Sequence, residues 1–336
     1  MAGGFPMATD GASSFHNSLS SAQVGRLSAL SQFWPRQTIE CRWNWTMPLP
    51  ASTLKMERYS NWVRNRAAYS EEGETIMRYG ICTDLQKAEL AATQGYDYIE
   101  LSVTKTLGLD PDTQKAGRQT LKSLSIQAEC FNILFPKTMN LVDGTLTWAE
   151  LQAYLDNAME LIDSFGGKVV VFGSGKCRTC PPSCRYREAY ERLVKACRMT
   201  GETAASHHIQ VVIEPLSRQE TNMICTMAEG ALLQRDVDLP NVGLLSDYFH
   251  VCANHDDLAQ IPVIHNFGHI HIASGQGRHY PLPEDGEAYV EFFRALQKAS
   301  YSGRMSIEGK TNDPVNDGRE ALQYLKQLEA ETCTTK

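Results

Sequence analysis

The chain has 336 residues, 42% hydrophobic and 21% charged, and its 32 basic and 39 acidic side chains give a net charge of −7. That balance excludes a generally basic nucleic-acid binder and wholesale disorder, and no apolar run approaches the roughly 18–20 residues that span a membrane. The length permits two domains, or a single (β/α)8 barrel of roughly 250 residues.

Residues 1–76 show no sustained periodicity. They carry Ser-rich stretches such as SSFHNSLSSAQ, scattered Pro and Trp, and 7 basic against 6 acidic residues. The opening MAGGFPMATDGASSF lacks the basic start and apolar core of a secretory signal. The expectation for 1–76 is an irregular, disordered extension, or translated sequence upstream of a true start at Met77. An organellar transit peptide is the minor alternative.

From Tyr79 the pattern changes to short apolar runs alternating with longer amphipathic stretches. The runs are YGIC (79–82), YIELSV (98–103), IQAECFNIL (126–134), KVVVFG (168–173), IQVVIEP (209–215), VGLLSD (242–247), GHIHIA (268–273) and RMSIEG (304–309). Between them, TDLQKAELAATQGY, LQAYLDNAMELIDSFGG, YREAYERLVKACRMTGETAASH and YVEFFRALQKASYSG place apolar residues at helical spacing. Strands alternating with helices argue for a parallel sheet. Eight such units predict one α/β domain, a (β/α)8 TIM barrel over 77–330, followed by a tail at 331–336. An open doubly wound sheet is the runner-up. It would show a Gly-rich phosphate loop after an early strand, and GSGKC comes too late and too incomplete for that.

Ten cysteines lie at 41, 82, 130, 177, 180, 184, 197, 225, 252 and 333, mostly inside apolar segments. They read as reduced, buried thiols of a cytoplasmic protein. Cys177, Cys180 and Cys184 form a C-x2-C-x3-C run. Simple loop cysteines are the favoured reading there, with a local metal or disulfide element as the alternative.

In a barrel, active-site groups sit where strands end, at the C-terminal face. The last four strands each end in a metal-capable residue: Glu214, Asp247, His271 and Glu308. A single strand-end carboxylate often only caps the next helix. Four in succession on one rim predict a shared divalent-cation site. Three carboxylates and one imidazole suit Mn2+ foremost, or Mg2+ or Co2+, with positions left for substrate. Glu220, His250 and Arg278 follow at short offsets as candidate substrate contacts, each with a bland surface or helix-start reading beside it. Glu100 and Glu129 read as buried acids serving packing-level hydrogen bonds. Trp148 and Phe135 could wall a sugar but read first as core.

GYDYIELSV, IEPLSRQETN, SDYFH, GHIHIASGQGRHYPLPEDGEAY and GRMSIEG stand in this order over about three quarters of the chain. Together they resemble the sugar phosphate isomerase/epimerase group with xylose isomerase-like barrels, which includes ketose 3-epimerases and hydroxypyruvate isomerases. The resemblance implies one divalent metal held by Glu214, Asp247, His271 and Glu308, with Glu214 and Glu308 also moving the proton. It implies a sugar, keto-sugar or sugar phosphate contacted by Glu220, His250 and Arg278, and a homo-oligomer, dimer or tetramer. Arg278 lies seven residues after His271, one more than in ketose 3-epimerases and closer to the hydroxypyruvate isomerase loop. Those isomerases carry Gln where His271 stands.

The chemistry fits the residue types. Isomerising or epimerising a sugar removes a proton from carbon beside a carbonyl, and the enediolate so formed needs its oxygens neutralised. A phosphorylated substrate would ask for more cation than Arg278, with Lys310 and Arg185 as unplaced helpers. RHYPLPEDGE reads as part of a lid or an interface. Two other functions are open to such a barrel: a catalytically silent sugar-binding protein, and an apurinic-endonuclease-like metal hydrolase. The latter needs early-strand histidines, and none lies between residues 17 and 206. The acidic barrel also lacks a basic footprint for DNA.

Overall fold

A computed structural model describes residues 77–264 and 266–333. The expectations for residues 1–76 lie outside the described residues. Eight parallel strands close into a barrel in sequence order. They are β1 (Arg78–Cys82), β2 (Tyr98–Ser102), β3 (Gln127–Asn132), β4 (Val169–Phe172), β5 (Gln210–Ile213), β6 (Val242–Asp247), β7 (Phe267–Ile272) and β8 (Arg304–Ile307). Each matches one of the eight apolar runs. β1 pairs with β8 in register Arg78 with Arg304 and Ile81 with Ile307, which removes both sheet edges.

The strands read as continuous apolar runs because both of their faces are covered. Val169, Val170, Val171 and Phe172 are all buried. Inside the barrel, Tyr98, Cys130, Val169, Val171, Val212 and Leu245 pack against one another. Their outward neighbours join the larger core beneath the helices.

The helices are α1 (Ala88–Gln94), α2 (Val103–Leu107), α3 (Pro111–Leu124), α4 (Trp148–Ser164), α5 (Tyr186–Ser206), α6 (Met227–Val237), α7 (Tyr248–Asn254), α8 (Tyr289–Lys298) and α9 (Asn316–Cys333). Local chemistry sets their starts. Asp110 caps α3, with Pro111 in its first turn. Thr147 and Glu150 form a reciprocal capping box on α4. Helix α4 then buries Leu151, Leu155, Ala158, Met159 and Ile162, the spacing of one face. Helix α9 runs through residue 333, so the last turn of the helix covers the start of the segment read as a tail. Among the described residues, no helix is long and apolar enough to cross a membrane.

Candidate metal and active site

The strand ends bring the four metal-capable residues together. Glu214 follows β5, Asp247 closes β6, His271 lies in β7 and Glu308 follows β8. One ligand atom from each lies within 4.8 Å of the others. Four donors on one ion at bonds of about 2.1 Å lie up to roughly 4.2 Å apart, so small side-chain adjustments close the set.

Each donor is held by a different device. Asp247 spends Oδ1 on the backbone N–H of Phe249, capping α7. Oδ2 is left facing the site, 3.6 Å from His250 Nε2 and 3.4 Å from an Arg278 nitrogen. The bland reading of a strand-end cap and the ligand reading therefore describe the same residue. Gly173 leaves room for this rotamer of Glu214: a methyl there would overlap Glu214 Oε2 and turn the carboxylate away. The backbone around Glu214 is gripped by Arg178, which is almost fully buried and donates to the carbonyls of Phe172, Glu214 and Ile224.

His271 is oriented from below. Its Nε2 donates to Glu100 Oε1 at 3.0 Å, and a carboxylate can only accept. The proton therefore sits on Nε2, and the Nδ1 lone pair faces Glu214 Oε1 at 3.5 Å and Glu308 Oε2 at 3.2 Å. This is the carboxylate–imidazole arrangement that fixes the tautomer of metal-binding histidines. Glu100 is itself fully buried, and its other oxygen lies 2.8 Å from His269 Nε2.

Three buried polar atoms here have no hydrogen-bond partner: Glu214 Oε1, His271 Nδ1 and His250 Nε2. Orphaned buried polar atoms are costly, and two of these three belong to the four-residue donor set. Two acceptors facing one another across 3.5 Å want a cation between them. The residues thus fit a divalent ion.

The electrostatics carry the same demand. Burial alone would lower His271, but Glu100 and then Glu308 outweigh it and hold the imidazole well above the usual histidine range, so that without an ion a second proton takes the Nδ1 position that a metal would occupy. Burial alone would raise Glu308, but His271 and Arg278 hold its carboxyl at about 2. Glu214 goes the other way, raised by burial with the Glu308 charge adding to it. The paired carboxylates are therefore unequal: one firmly ionised, one readier to take a proton.

The three remaining predicted residues line the same space. The backbone N–H of Ser217 donates to His250 Nδ1 at 3.0 Å, so His250 carries its proton on Nε2 and aims that donor into the site. Arg278 adopts φ +54 and turns its guanidinium inward. It reaches Glu308 Oε2 at 2.6 Å and Glu220 Oε1 at 3.3 Å, and stacks 4.7 Å from the Phe249 ring centroid. Its loop is tied by backbone bonds from Lys310 N–H to the Arg278 carbonyl and from Tyr280 N–H to the Lys310 carbonyl. Glu220 is the most open member, its side chain 41% exposed.

Other candidates fall elsewhere. Trp148 stands at the start of α4 under the cations of Arg192 and Lys195, and Phe135 packs against Tyr154 and Phe172 in the core. Arg185 pairs with Glu188 on the surface. Cys177, Cys180 and Cys184 are free thiols, and each points at a backbone carbonyl. Among the described residues they form no metal-binding group. Glu129 lies at the other end of the barrel. Arg178 and Asn132 carried no signal in the sequence. Glu100 did, as a lone acid in an apolar run, but its partners lie 169 and 171 residues away.

Comparison with known proteins bears on the barrel and its family. Residues 88–328 match the family model of the xylose isomerase-like TIM barrel. The chain is 28% identical over 187 residues to the 3-dehydro-D-guloside 4-epimerase of Escherichia coli strain K12, spanning 51% of this chain and 69% of that protein. It is 25% identical over 232 residues to the L-ribulose 3-epimerase of Methylomonas sp. strain DH-1, spanning 67% and 78%. A crystal structure of D-psicose 3-epimerase, determined in the presence of D-fructose, has a TM-score of 0.67 at 21% identity, covering 75% of this chain and 99% of that one. That last likeness is one of fold.

Proposed function

This chain belongs to the xylose isomerase-like TIM barrel family, and we propose that it is a divalent-metal-dependent epimerase or isomerase of a keto-sugar. The observation that carries the proposal is the pair Glu214 and Glu308, both within reach of His271 Nδ1, at 3.5 and 3.2 Å. Two relatives named as sugar epimerases support the same reading.

The substrate lies over the rim formed by β5 to β8. A divalent ion held by Glu214, Asp247, His271 and Glu308 would neutralise the negative charge developing on two neighbouring sugar oxygens. Mn2+ suits the mixed oxygen and imidazole donors best, with Mg2+ or Co2+ as substitutes. One of the two glutamates takes the proton from carbon beside the carbonyl, and the other returns one to the opposite face. Whichever glutamate is ionised accepts and the protonated one donates, and the roles reverse in the back reaction. His250 Nε2–H and the Arg278 guanidinium hold the carbonyl-side oxygens, and Glu220 positions a distal hydroxyl. The inward-facing charge is mostly negative and Arg278 is already engaged by carboxylates, which favours an uncharged sugar over a phosphorylated one.

Turnover across a panel of ketoses and phosphosugars, with and without Mn2+, tests the proposal. Mn2+-dependent conversion of at least one ketose is expected. Binding of metal and sugar with no conversion of any would favour a silent sugar-binding barrel instead.

A further inference from the structure

The two glutamates are supported in different ways. Glu214 leaves Oε1 without a hydrogen-bond partner. Glu308 has donors on both oxygens. Its Oε2 faces the cation side, near Arg278 at 2.6 Å and His271 Nδ1 at 3.2 Å. Its Oε1 accepts from Asn132 Nδ2 at 3.1 Å, across the barrel mouth from the end of β3. Asn132 is 6% exposed. Its second contact runs from Nδ2 to Cys82 Sγ at 3.4 Å, at the end of β1. A carboxylate only accepts, so the nitrogen end of the amide must face Glu308. The amide is thus anchored on one rim strand while it grips a carboxylate on another.

We propose that Asn132 is a positioning residue that fixes the rotation of the Glu308 carboxylate. It commits Oε2 to the cation side and keeps Oε1 turned toward the substrate, free of the ion. The inference rests on reading Glu308 as both metal ligand and proton carrier. Without the amide, the carboxylate can rotate until both oxygens close on the ion. The oxygen that must meet the substrate proton is then withdrawn, although metal binding is kept. A misplacement of this size at the reacting atom is enough to slow a step tenfold or more.

The test uses Asn132→Ala, with the near-isosteric Asn132→Asp in case the smaller side chain folds poorly. Turnover falls at least tenfold with KM within twofold of native, while Mn2+ titrated directly into the metal-free protein binds as tightly as before or tighter. Infrared difference spectra on adding Mn2+ show a narrower splitting of the carboxylate stretches than in the native protein, the sign of two-oxygen ligation. Glu308→Gln removes that change. Native turnover in both variants, an unchanged splitting, or loss of Mn2+ affinity together with turnover would overturn the assignment. A native protein that binds no Mn2+ would instead overturn the functional reading, and this inference with it.

Discussion

The two ends of the barrel hold charge in opposite ways. At the N-terminal end Glu129 lies between two arginines, Arg78 from the start of β1 and Arg304 from the start of β8, and takes hydrogen bonds from both. One acid meets two cations, and no atom of this trio is both buried and unpartnered. At the C-terminal end Asp247, Glu308 and Glu220 share one arginine, Arg278, the Glu214 carboxylate pairs with no arginine among the described residues, and buried atoms are left without partners. The lower cluster is finished as it stands and ties first strand, third strand and last strand together. The upper cluster is short of positive charge. Stability is built into one end and given up at the other, where binding can recover it.

The contrast can be broken most severely at the paired acids. Glu214→Gln and Glu308→Gln should each retain sugar binding, measured by calorimetry, and lose on the order of a thousandfold in turnover. An undiminished rate in either would remove that residue from the proton-transfer step. Removing metal comes next. Chelation should abolish turnover, and Mn2+ at a hundredfold over its Kd should return about 2.7 kcal/mol of stability. For a domain of this size that is a rise in melting temperature of roughly 5–10 °C. An equal melting temperature with and without Mn2+ would place the ion outside the described cage.

The sharpest comparison is one of sign. Glu129→Gln leaves two arginines facing a neutral amide and should cost about 1–2 kcal/mol in chemical denaturation. Asp247→Asn keeps the cap on α7 and relieves repulsion at the upper rim. In metal-free protein it should gain about 0.5–1 kcal/mol. Two changes of the same sign would contradict the account of the two ends. The smallest effect is expected at the cysteine run. Cys177→Ser should leave Mn2+ content and turnover within twofold of native, because its thiol meets the carbonyls of Phe135 and Pro136 and, among the described residues, belongs to no metal-capable group. Zinc or iron lost from the purified protein on that change would restore a local cluster.

The upper rim was far more legible in the sequence than what supports it. The eight strands announce themselves as apolar runs because burial on both faces leaves no polar alternation to hide them. Glu214, Asp247, His271 and Glu308 stand out because each breaks such a run at the same structural position. The support is non-local. His271 is set by Glu100 from β2, Glu214 by Gly173 after β4 and by Arg178 in the following turn, and Glu308 by Asn132 from β3. No spacing in the chain encodes these pairings; only closure of the barrel creates them. Short helices such as α2 and α7 carry no apolar period and are set by caps at Ser102 and Asp247, of which only the second has a counterpart in the sequence reading, as a strand-end carboxylate before a helix-start histidine. Trp148, read first as core, packs half-buried against it at the start of α4, beneath the cations of Arg192 and Lys195.

Proton transfer at a carbon beside a carbonyl, by two carboxylates sharing one divalent ion, leaves an isotopic trace. Its most direct measurement is nuclear magnetic resonance of ketoses incubated with the protein in D2O, metal-stripped and then reloaded with Mn2+. Deuterium should enter at the carbon next to the carbonyl only in the reloaded protein, and Glu214→Gln and Glu308→Gln should suppress it. A protein that binds Mn2+ and sugar yet exchanges no carbon-bound hydrogen would contradict that chemistry.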